Sequence, residues 1–337
     1  MREPDFWYRP PSLPSLLLSP LGALYGIVTG RRMGRTGFDA GIPVLCVGNY
    51  HVGGAGKTPM VLALTNLLRD LGETPIVLSR GYGGRLRGPI MVDPARHEAA
   101  EIGDEPLMLA RTVPVVVARD RINGVAMAKS RNASVILMDD GFQSPAIAKD
   151  ASLIVIDSDR GLGNGKIFPA GPLRAPLQPQ IARTDALIVI GNGSAAGPVA
   201  AAVAAQGRMV LSAYLRADEA TVASLRGKRV LAFAGIGDPH RFFRTLRSCG
   251  IEVVAERAFP DHHAFSEDEI AALMAEATRE ALTAVTTEKD MVRLKPRAAK
   301  HVVPFAVTLE LENPAQLRHF VSDLLFQTRA RKFRGDS

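Results

Sequence analysis

The chain has 337 residues, 47% of them apolar, and 41 Lys and Arg against 34 Asp and Glu give a net charge of +7. Its length allows two domains with full cores, and its two cysteines do not suggest a disulfide framework or a zinc site, which favours a reducing cytosol. The basic balance favours an anionic partner, and no nucleic acid is expected because RNA- and DNA-binding motifs are missing and aromatic residues are few.

The N-terminal segment contains an apolar run, Leu13 to Val28, that two prolines interrupt. The run is shorter than the roughly 20 residues that a spanning helix needs. Its arginines follow the run, whereas a signal peptide carries its positive charge in front. Aromatic residues before the run and arginines after it favour a segment that lies in the interface of an anionic membrane. Packing on the protein's own core is the alternative, and one surface could serve both purposes.

The next feature is a phosphate-binding arrangement. Val44–Val47 predicts a buried strand, and after a glycine-rich turn an apolar-periodic helix opens at the G-K-T sequence. Together they have the form of a P-loop, in which backbone N–H groups and the helix dipole hold phosphates. Lys57 is predicted to reach the outer phosphates and Thr58 to bind Mg²⁺. The residues predicted to bind the nucleotide are His51, Val52, Gly53, Gly54, Ala55, Gly56, Lys57 and Thr58.

The loop departs from the strict pattern G-x-x-x-x-G-K-[ST] at its first glycine, where His51 stands. Gly53 and Gly54 supply backbone freedom instead. A plain glycine-rich turn between a strand and a helix is the alternative. We favour the P-loop because a partner motif follows downstream.

Two loops that follow carry candidate site residues. Arg80 and Tyr82 belong to a basic, glycine-rich loop after a predicted strand, and this loop is either a solvated turn or a substrate loop. The sequence Gly103-Asp104-Glu105-Pro106 opens a helix. Asp104 is therefore either a helix cap or a carboxylate held near the phosphate loop.

A Walker B-like strand follows: four apolar residues end in Asp139 and Asp140. Carboxylates at the end of a strand beside a P-loop can hold the Mg²⁺ of a nucleotide. A Gly- and Pro-rich stretch then predicts a long ordered loop or lid that ends near Arg174, which either binds phosphate or faces water. A second α/β pattern begins at Arg229 and contains His262.

Two classes of function fit a P-loop with Mg²⁺ ligands. A kinase needs a base near the γ-phosphate, and Asp104 or His262 could serve. An adjacent carboxylate and imidazole would suit, because the carboxylate can accept the proton while the imidazole orients the carboxylate and stabilises its charge. The alternative is a membrane-associated ATPase switch of the ParA/MinD type. Val52 stands where the signature lysine of that class would fall, which disfavours the switch.

The predicted fold class is α/β: a P-loop NTPase-like, mostly parallel sheet with helices on both faces, plus a second, smaller α/β domain. The predicted divisions are a membrane-interfacial segment (1–35), a P-loop kinase domain (36–208), a connector (209–228), a smaller α/β lid domain (229–325) and a basic tail (326–337).

The motifs VGN-x₃-GGAGKTP, SRGYGG, GDEP, VARDR, DDGFQ, FPAGPLR, FPDHH and TTEKD occur in this order. In this the chain resembles the tetraacyldisaccharide 4′-kinases of lipid A biosynthesis over nearly its whole length. The resemblance implies Mg²⁺-dependent transfer of the γ-phosphate of ATP to the 4′-hydroxyl of an acylated glucosamine disaccharide 1-phosphate. It also implies a peripheral enzyme on the cytoplasmic face of the bacterial inner membrane, on an anionic membrane surface. No obligate protein partner is predicted.

The resemblance also implies residue roles. The residues implied in catalysis are Asp104, His262, Lys57 and Asp140. Those implied in placing Mg²⁺ are Thr58, Asp139 and Glu105. Those implied in contacts with the substrate or phosphates are Arg80, Tyr82, Arg119, Gln143 and Arg174.

Three details of the motifs leave questions open. Ala55 and Ala175 stand where the family usually has Thr and Glu, so a role for that Glu is in doubt here. His263 lies beside His262, and the choice between the two histidines depends on the motif alone.

Overall fold

The computed structural model describes residues 3–10 and 12–335. Residues 1, 2 and 11 of the predicted N-terminal segment, and residues 336 and 337 of the predicted basic tail, lie outside the described residues. The strands are β1 (Val44–Gly48), β2 (Pro75–Ser79), β3 (Ile90–Met91), β4 (Val115–Val117), β5 (Val135–Asp139), β6 (Ala151–Asp157), β7 (Ala186–Ile190), β8 (Met209–Ala217), β9 (Arg229–Ala234), β10 (Glu252–Ala258), β11 (Thr283–Thr287), β12 (Val302–Phe305) and β13 (Val307–Leu311).

The helices alternate with these strands, after a short 3₁₀ turn at Asp5–Tyr8. They are α1 (Leu13–Met33), α2 (Lys57–Asp70), α3 (Ala99–Ile102), α4 (Asp104–Ala110), α5 (Arg121–Ser130), α6 (Leu177–Ile181), α7 (Gly197–Ala204), α8 (Glu219–Leu225), α9 (Pro239–Ser248), α10 (Glu267–Arg279), α11 (Glu288–Met291), α12 (Pro296–Ala299) and α13 (Pro314–Arg334).

The larger sheet has nine strands in the order β13-β8-β7-β6-β1-β5-β2-β4-β3. Its pairs are parallel except at the two edges, where β13 and β3 run antiparallel to their neighbours. Strand β1 lies between β5 and β6, so the loops that follow β1 and β5 emerge side by side at the same end of the sheet. This arrangement brings the phosphate loop next to the two acids that end β5.

Helices cover both faces of this sheet, as the sequence predicts. The central strands are nearly uninterrupted runs of apolar residues, because parallel strands between two layers of helices are buried on both sides. Helices α2, α4 and α13 pack on one face, and α5, α6 and α7 pack on the other with the end of α1. The predicted fold class is confirmed.

The smaller sheet is parallel, in the order β10-β9-β11-β12. Apolar residues of α8 and α9 pack on one face, and those of α10 and α11 pack on the other. A capping box at Ser266 and Glu269 starts α10. This smaller unit supplies the loops that face the phosphate loop from the other side.

The structure differs from the predicted boundaries at two places. Residues 209–217, predicted as part of a connector, form β8 and pair with β7 in the larger sheet. Within residues 229–325, predicted as the smaller lid domain, β13 instead returns to the larger sheet and pairs with β8. Apolar residues of α13 then pack on the larger sheet. The division into domains stays a proposal, with the smaller unit inserted between β8 and β13.

Helix α1 has 21 residues and, by length and composition, could cross a membrane. The expectation of a run too short to span was wrong as to length, because the helix continues to Met33. One side packs on the protein: Ser15 Oγ donates to Ala170 O at 3.0 Å, and a Cβ at Gly22 would lie 2.8 Å from Ile167 O. The opposite side is open to solvent, with Leu17 70% exposed. Packing on the protein's own core therefore describes one side of the helix, and the exposed leucines of the other side leave the interfacial alternative open.

Candidate active site

The phosphate loop is built from β1, a glycine turn and the start of α2. The N-cap residue Gly56 adopts φ +84°, and a Cβ there would lie 2.6 Å from Ile190 Cδ1, so glycine is required. No side chain caps the first turn of α2 within the described residues, and its backbone N–H groups stay available for an anion. Lys57, 8% exposed, is the first residue of this helix, and Thr58 follows it.

His51 is buried behind the loop. Its Nδ1 lies 2.9 Å from Val52 O, and its backbone forms an isolated bridge with Leu173 of the Gly- and Pro-rich stretch. Burial is the main cause that lowers the pKa of His51 to about 4, so the ring is neutral. The residue that replaces the first glycine of the strict pattern thus joins the loop to the segment before Arg174.

The two acids that end β5 have different surroundings. Asp140 accepts from Arg174 Nη1 at 2.6 Å and lies 3.7 Å from Lys57 Nζ. Burial raises the pKa of Asp140, but Lys57 and Arg174 outweigh it and hold the pKa well below its usual range. Asp139 accepts from Ser79 Oγ at 3.3 Å, and burial with the charges of Glu105 and Asp140 raises its pKa to about 7.

Asp104 and His262 meet across the two units. His262 Nδ1 lies 2.9 Å from Asp104 Oδ2, although the residues are 158 positions apart. His262 has a positive φ of 58°, an uncommon conformation for a non-glycine residue that is often retained at functional sites. The neighbouring His263 instead contacts Glu269 at 3.0 Å and stacks on Phe259. The geometry therefore brings His262, and not His263, to the carboxylate.

Asp104 is the first residue of α4 and not its cap, because the N-cap is Gly103 and no side chain caps this helix start within the described residues. Its Oδ1 accepts from Glu105 N at 3.0 Å in the first turn of α4. Burial raises the pKa of Asp104, but the hydrogen bond with His262 and the charges of Lys289 and Arg293 outweigh it, so the pKa lies well below its usual range. The carboxylate is therefore ionised at neutral pH and can accept a hydrogen bond.

Two cations of the smaller unit complete this cluster, and the sequence analysis did not select them. Lys289 Nζ lies 3.2 Å from Glu105 Oε1 and 3.4 Å from His262 Nε2. Arg293 Nε donates to Asp104 Oδ2 at 3.0 Å. The T-T-E-K-D motif was a signal for Lys289, whereas nothing in the sequence around Arg293 distinguishes it from other arginines.

The residues predicted to contact substrate fall into two groups. Tyr82 is 74% exposed and its ring lies 5.8 Å from that of His262, and Arg80 is exposed at the start of the same loop. Arg119 and Gln143 make their polar contacts elsewhere: Arg119 Nη2 donates to Gly84 O at 2.9 Å, and Gln143 Nε2 donates to Asn49 O at 2.7 Å. Tyr82 therefore faces the pair formed by Asp104 and His262, whereas Arg119 and Gln143 support the loops around that pair.

The N-terminal segment reaches the phosphate loop, which the sequence did not predict. The Glu3 side chain lies against Gly53, where a Cβ would come within 1.8 Å of Glu3 Oε1. Glu3 Oε2 accepts from Tyr8 Oη at 2.7 Å and from Arg160 Nη1 at 3.1 Å. Arg160 also pairs with Asp238 of the smaller unit at 3.1 Å. The N-terminal segment, the loop after β6 and the smaller unit thus share one ion-pair cluster, which lies against the phosphate loop.

The residues around the loop fit a nucleotide with Mg²⁺. Within the part of the chain that the structure describes, four buried polar atoms near the loop have no hydrogen-bond partner: Glu3 Oε1, Asn49 Oδ1, His51 Nε2 and Arg174 Nε. Such atoms indicate a polar ligand. Among residues 3–10 and 12–335 no three acidic, His or Cys side chains are grouped to hold a metal. Mg²⁺ suits this arrangement because it is commonly bound by one or two carboxylates, water and phosphate oxygens.

Comparison with known protein families shows to which family the chain belongs. Residues 14–325 match the sequence profile of a family described as tetraacyldisaccharide-1-P 4′-kinase. The chain belongs to this family. A tetraacyldisaccharide 4′-kinase of Bradyrhizobium diazoefficiens is 68% identical over 335 residues, 99% of each chain, and one of Nitrobacter winogradskyi is 63% identical over 98% of this chain and 99% of its own.

A solved structure of a family member supports the fold as well. The LpxK protein of Aquifex aeolicus, crystallised in complex with ATP, is 26% identical, with a TM-score of 0.72 over 92% of this chain and 99% of its own. Membership of a tetraacyldisaccharide 4′-kinase family confirms the predicted family, the predicted enzyme class and the kinase function, and it replaces the ATPase switch that the sequence left as the alternative.

Proposed function

We propose that this family member binds ATP with Mg²⁺ at the P-loop and transfers the γ-phosphate to the 4′-hydroxyl of an acylated glucosamine disaccharide 1-phosphate. The single observation that carries the residue assignment is the contact of Asp104 with His262, 2.9 Å apart, beside the open helix start of the P-loop. A paired carboxylate and imidazole near a phosphate cradle supply the base that a hydroxyl needs for attack on a γ-phosphate.

Each residue of the proposed site has a separate role in the reaction. The backbone N–H groups from Gly53 to Thr58 hold the phosphates, and Lys57 neutralises charge on the outer ones. As the bond from the sugar oxygen to γ-phosphorus forms and the bond to the β-phosphate oxygen breaks, the proton of the hydroxyl passes to Asp104. His262 orients this carboxylate and stabilises its charge. Tyr82, beside His262, faces the position of the sugar.

Thr58, Asp139 and Glu105 would hold Mg²⁺ together with phosphate oxygens. Bound there, Mg²⁺ supplies charge neutralisation along the transferring phosphates. Asp139 fits this role because its surroundings already contain the carboxylates of Glu105 and Asp140, whose repulsion a divalent cation relieves. Asp140 instead is held by Lys57 and Arg174, so it positions these two cations around the phosphates.

The proposed function is tested by incubation of the protein with γ-labelled ATP, Mg²⁺ and the acylated disaccharide 1-phosphate in detergent. We expect the label in the lipid, and we expect none after omission of Mg²⁺ or with a substrate that lacks the 4′-hydroxyl. ATP hydrolysis that membranes stimulate without labelling the lipid would overturn the proposal.

We also propose that the protein acts as a peripheral enzyme at an anionic membrane surface, on the cytoplasmic face of the bacterial inner membrane. The open side of α1 supports this: five of its leucines, Leu13, Leu16, Leu17, Leu21 and Leu24, are 55% to 70% exposed. Arg31 and Arg32 lie in its last turn, where they can meet anionic headgroups. The packing of its other side on the protein favours a helix that lies along the membrane surface.

Replacement of Leu17 and Leu24 by Glu together is expected to remove membrane binding. The two side chains are 70% and 63% exposed, so the fold does not depend on their burial, and the unfolding temperature should stay unchanged. Loss of two leucines from the acyl region costs at least about 3 kcal/mol, which is roughly a hundredfold in partitioning. Co-sedimentation with phosphatidylglycerol-containing vesicles measures the effect.

The matched control for this experiment is Phe326→Glu, which changes a 76% exposed apolar residue on α13, on the opposite face of the sheet. This variant should sediment with vesicles as the wild type does. Equal sedimentation of the double leucine variant would show that the open side of α1 does not bind the membrane.

A further inference from the structure

We propose that Arg293 of the smaller unit is a positioning residue for phosphoryl transfer, which fixes the Asp104 carboxylate against His262 when the two units meet. The inference rests on the proposed function and deepens it. Arg293 lies between α11 and α12, and its side chain is 6% exposed, as is that of Asp104. No other side chain of the smaller unit donates to Asp104 except His262 within the described residues.

The guanidinium group uses all three of its nitrogens. Nε donates to Asp104 Oδ2 at 3.0 Å, and Nη2 donates to the same oxygen. Nη1 donates to Gly235 O at 2.8 Å and to Asp290 Oδ1 at 2.7 Å. One edge of the group therefore faces the larger unit, and the other is anchored within the smaller unit.

The anchor on the smaller unit is shared with the histidine. His262 N donates to Gly235 O at 3.0 Å, the same carbonyl that accepts from Arg293. Gly235 N in turn donates to both oxygens of Asp290 at 3.1 Å, and Asp290 is completely buried. His262 and Arg293 thus both donate to the carbonyl of Gly235, which directly follows β9. Their side chains approach the same oxygen of Asp104, Oδ2, from two directions.

This arrangement defines the position of Asp104 in two ways. The Glu105 N–H holds Oδ1 within the larger unit, but with His262 as the only donor to Oδ2 the smaller unit would be free to pivot about that contact. The planar fork of Arg293 on the same Oδ2 removes that freedom, because its own orientation is set by Gly235 and Asp290. A lysine at this position would keep the positive charge, but its single ammonium group could not contact Asp104 and the Gly235–Asp290 anchor in one rigid plane. It could therefore not fix the position of one unit relative to the other.

A purely structural role is the competing explanation. Asp290 and Asp104 are buried acids, and Arg293 compensates both charges, so its loss can loosen the contact between the units without any effect on chemistry. The two roles differ in what they change. A positioning role lowers kcat and acts through Asp104, whereas a structural role lowers stability alone.

The test compares Arg293→Lys and Arg293→Gln with the wild type in the labelled-lipid assay, together with unfolding temperature. We expect kcat to fall roughly 100-fold for the Gln variant, as a misplaced catalytic group costs about this much. The Lys variant should lose roughly tenfold, because charge is kept and the fork is lost. The KM for ATP should stay within about threefold in both, since Arg293 does not touch the P-loop.

Two further variants separate the explanations. Arg257→Gln, which removes a half-exposed arginine of the same unit paired with Glu276, is the matched control and should behave as the wild type. The double variant Asp104→Asn with Arg293→Gln should lose no more kcat than Asp104→Asn alone, because residues that act as a unit are not additive. If the Arg293→Gln variant fails to fold, the kcat of the Arg293→Lys variant alone decides between the positioning role and the structural role.

The inference is overturned if both Arg293 variants keep kcat within about twofold of the wild type, or if the losses in the double variant simply multiply. Failure of the proposed function has a different signature, since the wild-type protein itself would then not label the lipid. Label from the wild type and equal label from the variants contradicts only the role of Arg293.

Discussion

The Lys57→Ala variant is expected to lose at least about 10³-fold in kcat for lipid phosphorylation, the scale seen for a cation that stabilises a transferring phosphoryl group. Lys57 is the first residue of α2 and nearly buried, so solvent does not replace its charge when the side chain is removed. Asp140 also pairs with Arg174, at 2.6 Å in the wild-type protein, so removal of Lys57 leaves this acid a cationic partner. The fold should therefore survive, and the loss should be in chemistry and in ATP affinity.

Labelled-lipid kinetics and thermal unfolding together measure this effect. Lys228→Ala removes an exposed lysine far along the chain and should leave both quantities unchanged. Turnover by Lys57→Ala within about tenfold of the wild type would show that the P-loop lysine does not stabilise the transferred phosphate.

The second large effect is expected for Asp104→Ala, with a loss of roughly 10²- to 10⁴-fold in kcat, the range for removal of a catalytic base. Nucleotide binding should be retained, because Asp104 starts α4 and, within the described residues, makes no hydrogen bond to the P-loop. The substitution also leaves Arg293 and His262 without their shared acceptor. Breaking a buried ion pair typically costs about 3–5 kcal/mol, so the contact between the two units should weaken as well.

Asp104→Asn separates these two consequences, since it keeps the shape and an acceptor oxygen but removes the charge. Binding of a fluorescent ATP analogue, kcat and unfolding temperature are the measurements, and Asp70→Ala at the exposed end of α2 is the control. Wild-type turnover in Asp104→Ala would remove the carboxylate from the mechanism, whatever happens to stability.

The local parts of the site follow from the sequence because their geometry is local. The strand, the glycines and Lys57 of the P-loop are consecutive, and so are the two acids that end β5. Asp104 and His262 lie 158 positions apart. The sequence named each of them as a candidate base, and the resemblance to a family then implied that they are partners. A contact between such distant residues depends on how the two units pack, which no local pattern describes.

The missed residues share this dependence on distant partners. Arg293 meets Gly235 and Asp104, which lie 58 and 189 positions away, and Glu3 meets Arg160, 157 positions away. Neither lies in a periodic pattern or a glycine-rich motif of its own. The course of β8 and β13 was missed for the same reason, since an antiparallel pair at a sheet edge is set by tertiary contacts rather than by the alternation within each strand.

The return of the chain to the larger sheet has a consequence for biosynthesis. Strand β8 ends at Ala217 and its partner β13 begins only at Val307. The sequence of the larger sheet is therefore interrupted by the whole smaller unit. Domains tend to form from the N-terminus as the ribosome delivers about 5–20 residues per second. Until β13 and α13 emerge, the edge of β8 and the apolar surface that later meets Leu317, Val321 and Leu325 stay uncovered. The nascent chain is therefore most open to aggregation, and most in need of chaperones, while the smaller unit is being made.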